Sequence, residues 1–264
     1  MPNTKQYQTI KLELEAKIAR VKLNRPEVRN AFNETVISEM TDAFKYIRNQ
    51  NNLRVVVVTG EGKGFCAGAD LNWMKGVVNY SYEENLRDSQ NLSDMFAEMA
   101  SCPLPTIARV NGSAIGGGTG MVAVCDIVIA SENAVFSLSE VKLGLVPACI
   151  SPYVLRRMGD KNCREYFLTG ERLTAEKALV AGLVNRVVPE SKLDEEVDKL
   201  IQQLISSGPK ALAVCKQLLD KVPPMNQQEF GSYTAKVITE LRLSDEGQEG
   251  MKAFFEKRKP KWCE

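Results

Sequence analysis

Residues 105–130, PTIARVNGSAIGGGTGMVAVCDIVIA, decide the fold. PTIARV reads as a strand, NGSAIGGGTG as a glycine-rich turn, and MVAVCD as an apolar stretch. IVIA then reads as a second strand. The same order of strand, glycine-rich turn and helix start occurs earlier, in VVVVTGEGKGFCAGADL at residues 55–71. The run Val55–Val58 is continuous and β-branched, as suits a strand buried on both faces. Helix N-termini present unbonded N–H groups and the positive end of the helix dipole. Two such ends aimed at one point would form an oxyanion hole. On residue types alone, two tight turns packing backbone on backbone account for the glycines equally well.

Working outward, residues 8–23 read as two short strands, TIKLELE and AKIARVKL. Val36, Ile37, Met40, Phe44 and Ile47 recur at helical spacing behind Asn33 or Thr35 as a cap. Residues 82–100 form a charged amphipathic helix pattern. From residue 151 the patterns are helical (SPYVLRRMG, KNCREYFLTG, TAEKALVAG), interrupted by one strand, LVNRVV. Strands and helices alternate up to about residue 190, and three or four helices follow. The expectation is an α/β core over residues 1–190 with a C-terminal helical lobe over residues 191–264.

Composition narrows the chemistry. The 264 residues are 44% hydrophobic and 25% charged with a net charge of +1, an ordinary globular balance with no basic field for nucleic acid. The start is polar and alternating, unlike a secretory segment, and no apolar run approaches the roughly 20 residues of a membrane helix. Seven cysteines at irregular spacing, without a CxxC pair, fit reduced thiols in a cytoplasmic protein. Histidine is absent. That excludes Ser-His-Asp and Cys-His catalysis and any histidine metal site, so a carboxylate, Lys, Tyr or Cys must do any acid/base work. GEGKGF lacks the P-loop pattern, and Gly116 and Gly118 are followed by Met121 where a dinucleotide fingerprint needs a third glycine. No metal site is expected.

Taken in order, LNRPEVRNAF, GFCAGADL, VNGSAIGGGTGMVAVCDIVIAS, FSLSEVKLGLVP, LTGERLTAEKALVAGLVNRVVP and EGMKAFFEKRKPKW resemble the crotonase superfamily of enoyl-CoA hydratases and isomerases. The resemblance covers nearly the whole chain. It implies a spiral of ββα turns with C-terminal helices that pack against neighbouring subunits, in a homotrimer or a hexamer of paired trimers. It implies an acyl-coenzyme A thioester as substrate and no separate cofactor. The backbone N–H groups of Ala69 and Gly117 match the family's oxyanion hole. Val28, Arg29, Ala67, Asp70 and Leu71 match the turns that line bent coenzyme A, with Gly116 and Gly120 in the glycine-rich turn. Phe254 and Lys257 resemble C-terminal residues that approach the adenine end. Asp70 also reads as a helix cap, and Asp126 as a structural residue.

The carboxylates depart from the usual pattern. Family hydratases divide two proton movements between two Glu residues. The first position is Gly120 here, and the second is Glu140, set in FSLSEVKLGLVP as one carboxylate in an apolar core strand. Burial should raise its pKa. SEVKLGLVPACISPYVLRRMG resembles a bacterial branch described as methylglutaconyl-CoA hydratase-like, which also tends to carry Gly at the first position. Its substrate ends in a carboxylate, for which Lys75, Arg109 and Lys142 are the cations to consider. Three readings stay open. One is a hydratase-type lyase using Glu140. The second is a Δ3,Δ2-enoyl-CoA isomerase using Glu140 alone. The third is a non-catalytic family member that keeps coenzyme A binding.

Overall fold

A computed structural model describes residues 5–263. Its main sheet holds β1 (Ile10–Glu15), β2 (Ile18–Leu23), β3 (Val55–Gly60), β4 (Thr106–Val110), β6 (Ile127–Ser131) and β9 (Arg186–Val188), in the order β1-β2-β3-β4-β6-β9. β1 and β2 pair antiparallel; every later pair is parallel. A second sheet joins β5 (Ala114–Ile115), β7 (Val135–Ser137) and β8 (Arg172–Thr174). This mixed α/β architecture matches the fold expected from sequence.

Successive residues of a strand face opposite ways, and β3 shows why its valines are continuous. Val56 and Val58 join one core with α1 (Glu34–Arg48), α3 (Tyr82–Ala100) and α4 (Gly117–Val124). Val55 and Val57 join a second with Leu193, Val197, Leu200 and Ile201 of α7 (Leu193–Ile205). The Asn33 side chain accepts from the Val36 N–H and starts α1.

α7 therefore belongs to the sheet core, although it lies beyond residue 190. The chain leaves the core only after it, through α8 (Pro209–Lys221), α9 (Gln227–Leu243) and α10 (Asp245–Phe255). α8 and α9 bury no residue, and α10 buries only Ala253. Two cations tie this tail down. Arg54 reaches the carbonyls of Ile205 and Ser207. Lys216 reaches Asp126 (2.6 Å) and the Leu104 carbonyl (2.9 Å). Asp126 also accepts from the Thr106 N–H and hydroxyl, a structural role as expected.

Two sequence expectations change. FSLSEVKLGLVP is not one core strand. β7 ends at Ser137, and Glu140–Leu143 form a 3-10 turn closed by Gly144 in the left-handed region. Phe136 and Leu138 are buried, but Leu143 and Leu145 are 63% and 57% exposed. Between Ser151 and Thr169, two expected helices join into α5, with a non-helical kink at Gly159.

Candidate active site

The second sheet continues beyond its named strands through two isolated parallel bridges, Cys66 with Ala114 and Phe32 with Ala69. The segments 29–32, 66–70, 114–117 and 135–137 thus lie side by side. The Ala67 N–H donates to Arg29, the Phe32 N–H to Gly68, the Asp70 N–H to Phe32, the Ile115 N–H to Cys66, and the Gly116 N–H to Ser137. Parallel strands end on the same side, where open α/β sheets place their ligands.

Ala69 and Gly117 stand three residues beyond the bridged pair Cys66 and Ala114. The bonds to Phe32 use the Gly68 carbonyl and the Asp70 N–H, so the Ala69 N–H faces away from that neighbour. Gly117 opens α4, where no intrahelical acceptor exists. Among the described residues, neither N–H donates to a protein acceptor. Both residues are half-buried.

Glu140 lies against Gly116, the residue before Gly117. Its Oε1 lies 3.1 Å from the place of a β-carbon on Gly116, which has φ +52° and no side chain. Its Oε2 is buried without a hydrogen-bond partner. An unpartnered buried carboxylate oxygen is costly in a fold, and packing alone gives no reason for it. Burial pushes the carboxyl above its ordinary value, opposed only by a bond from its own backbone amide.

Gly117 is held against Phe32: a β-carbon there would sit 2.5 Å from the ring. Phe32 in turn contacts Trp73, with ring centroids 5.7 Å apart. Gly120 faces Ile150 and Phe96. A β-carbon at 120 would overlap the Ile150 side chain, 2.8 Å from its Cβ, and stand 3.2 Å from the Phe96 ring. The side of α4 where a second carboxylate would stand is thus filled with hydrocarbon. Thr119 is turned inward, its hydroxyl reaching the carbonyls of Ala114 and Ser137.

The other expected residues divide. Arg29 and Ala67 are bonded neighbours (3.0 Å), with Val28 and Leu71 exposed beside them. Asp70 is 6% exposed and already engaged: Oδ1 accepts from the Asn72 and Trp73 amides as the cap of α2 (Leu71–Val77), and Oδ2 pairs with Arg25. That leaves it little to offer coenzyme A. Phe254 and Lys257 lie at the end of α10. Among the described residues no hydrogen bond, ion pair or ring contact joins them to the Glu140 segment, and Phe254 is 78% exposed. Arg109 leaves the three cations considered for a distal carboxylate, because it pairs with Asp194 at 2.6 Å, across the main sheet from α4. Lys75 and Lys142 are exposed. Sequence reasoning missed Ile150, Phe32 and Arg25. No local pattern marks the first two, and the position of Arg25 in NRPEVRNA was its only signal.

The chain is similar to known proteins over almost its whole length. The family model described as enoyl-CoA hydratase/isomerase matches residues 13–264. A solved enoyl-CoA hydratase from Shewanella pealeana is 39% identical with a TM-score of 0.95, over 98% of this chain and 97% of its own. Pseudomonas aeruginosa AtuE is 32% identical with a TM-score of 0.94, over 97% of this chain and all of its own (100%). A relative from Thermus thermophilus is 36% identical over 245 residues, 93% of this chain and 97% of its own length. The chain belongs to the enoyl-CoA hydratase/isomerase family.

Proposed function

We propose that this chain is a hydro-lyase that adds water to, or removes it from, the Cα=Cβ bond of an acyl-CoA thioester. The observation that carries the reading is Glu140, a half-buried carboxylate with one buried, unpartnered oxygen, beside Gly116 and the unbonded Gly117 N–H. The thioester oxygen accepts from the amides of Ala69 and Gly117. Glu140 takes a proton from water as the hydroxyl bonds to Cβ, and the electron pair of the double bond moves onto the thioester oxygen as an enolate. Protonated Glu140 then delivers its proton to Cα, which restores both the carbonyl and the carboxylate. Each oxyanion donor of this kind is worth about 10²–10³ in rate. Val28, Arg29, Ala67 and Leu71 would line coenzyme A.

The finer reading is a methylglutaconyl-CoA-like substrate, supported by the resemblance of SEVKLGLVPACISPYVLRRMG to that branch. A cation for its distal carboxylate would come from Lys75 or Lys142. Exposed apolar side chains on the tail, Leu219, Phe230, Leu243, Phe254 and Phe255, support assembly into trimers or hexamers. All seven cysteines are free, which supports a cytoplasmic setting. Among the described residues no helix is long and apolar enough to cross a membrane.

One observation favours a second reading. Ile150 and Phe96 fill the site's other carboxylate position, and a lone carboxylate can shuttle a proton between Cα and Cγ as an isomerase. Purified protein incubated with 2-enoyl-CoA and 3-enoyl-CoA esters separates the two. A product heavier by one water supports the lyase. A product of unchanged mass with a moved double bond supports the isomerase.

A further inference from the structure

We propose that Arg25 is a positioning residue for the Ala69 amide, acting through Asp70; this rests on the reading of Ala69 as an oxyanion donor. Arg25 is a strut between two neighbouring segments. Its Nη2 meets Asp70 Oδ2 at 2.8 Å, and its Nη1 donates to the Ala31 carbonyl at 2.6 Å. Ala31 precedes Phe32, and Asp70 follows Ala69, so the guanidinium spans the junction where Phe32 bonds the peptides on either side of Ala69.

The strut is itself fixed. The Arg25 backbone N–H donates to Asn30 Oδ1, and Asn30 is 1% exposed, left-handed at φ +58°, and bonded through Nδ2 to the carbonyls of Glu61 and Gly64. The guanidinium therefore joins two loops at the donor, and Asn30 ties the same two loops together further back.

Helix capping does not explain the ion pair. The cap uses Asp70 Oδ1 on the amides of Asn72 and Trp73, and a neutral Asn caps a helix as well as Asp. The second oxygen is additional. The pair's side chains are only 18% and 8% exposed, a setting in which a salt bridge gives little net stability for its desolvation. What the pair supplies is a fixed orientation for the 69–70 peptide, and preorganised donors are what oxyanion stabilisation requires.

The test uses Asp70→Asn, which keeps the cap and loses the pair, with Arg25→Met, Arg25→Lys and the double variant Arg25→Met/Asp70→Asn. In ligand-free protein, amide exchange at Phe32 and Asp70, whose N–H groups are bonded across this junction, should quicken by about tenfold in Asp70→Asn and Arg25→Met, with β3 protection unchanged. For a substrate that wild type turns over, kcat should fall by up to about 10²-fold, with KM changing far less. The double variant should be no worse than the poorer single one, and Arg25→Lys should recover part of the loss. The infrared carbonyl stretch of a bound saturated acyl-CoA should move back toward its solution frequency. Unchanged exchange at Phe32 and Asp70, exchange that quickens equally in β3, or additive kcat losses would overturn the proposal. Failure of wild type to act on any acyl-CoA overturns the functional reading instead, and the exchange data then decide the positioning role on their own.

Discussion

Ile150 occupies the space that a side chain at Gly120 would need, its Cβ 2.8 Å from where a β-carbon would stand. The glycine and the isoleucine are one feature: each is possible only because of the other. α4 starts at Gly117 and packs hydrocarbon at its fourth residue, while Glu140 lies against Gly116 at its cap; on the proposed reading, acid/base work falls to Glu140.

Gly120→Glu should therefore not restore a two-carboxylate site. It drives a charged side chain into Ile150 and Phe96, and overpacking alone costs about 1–3 kcal/mol before the buried charge is counted. Thermal denaturation should show a clear fall in Tm, partly recovered by Ile150→Ala in the same chain. A Gly120→Glu protein as stable as wild type would contradict the packing.

Activity should depend on pH through Glu140. The carboxyl is raised by burial and must be ionised to accept a proton from water. kcat/KM should then rise with pH along a limb centred above the ordinary glutamate value of about 4.3. Glu140→Gln should lose that limb together with about 10²–10⁴ of the rate.

The same shift has a stability sign. A raised carboxyl pKa means that the fold favours the neutral form. The penalty for ionised Glu140 is full above its folded-state pKa and vanishes below its unfolded value. Glu140→Gln should thus unfold no lower than wild type at neutral pH, and about 1 kcal/mol of relief would raise Tm by about 2–4 °C. Melting curves at acid and neutral pH check this; a variant markedly less stable at neutral pH would refute it.

Gly117→Pro removes the N–H of one donor, but any β-carbon at 117 also meets Phe32 at 2.5 Å. The clean experiment pairs it with Phe32→Ala. The double variant should fold, by circular dichroism, and lose most turnover, while Phe32→Ala alone keeps more. Equal activity in the two would remove the Gly117 amide from the mechanism.

Much of this was legible in the sequence where one physical rule acts locally. The helical spacing behind Asn33 gave α1, and the unbroken valines gave a doubly buried β3. The two glycine-rich turns gave segments that do lie side by side. FSLSEVKLGLVP misled because its apolar spacing fits a strand as well as a 3-10 turn, and exposure of Leu143 and Leu145 is a tertiary outcome. The Gly120–Ile150 fit spans 30 positions, and the Arg25–Asp70 pair 45. Neither leaves a periodic trace, since the contacts are made only when distant segments meet at the sheet ends.

On the proposed reading one carboxylate, Glu140, adds water against the Ala69 and Gly117 amides. The most direct measurement is the mass of the product formed from a 2-enoyl-CoA by wild type and by Glu140→Gln. Wild type should give a gain of one water and the variant almost none. Unchanged mass with wild type, or the same gain with the variant, would contradict it.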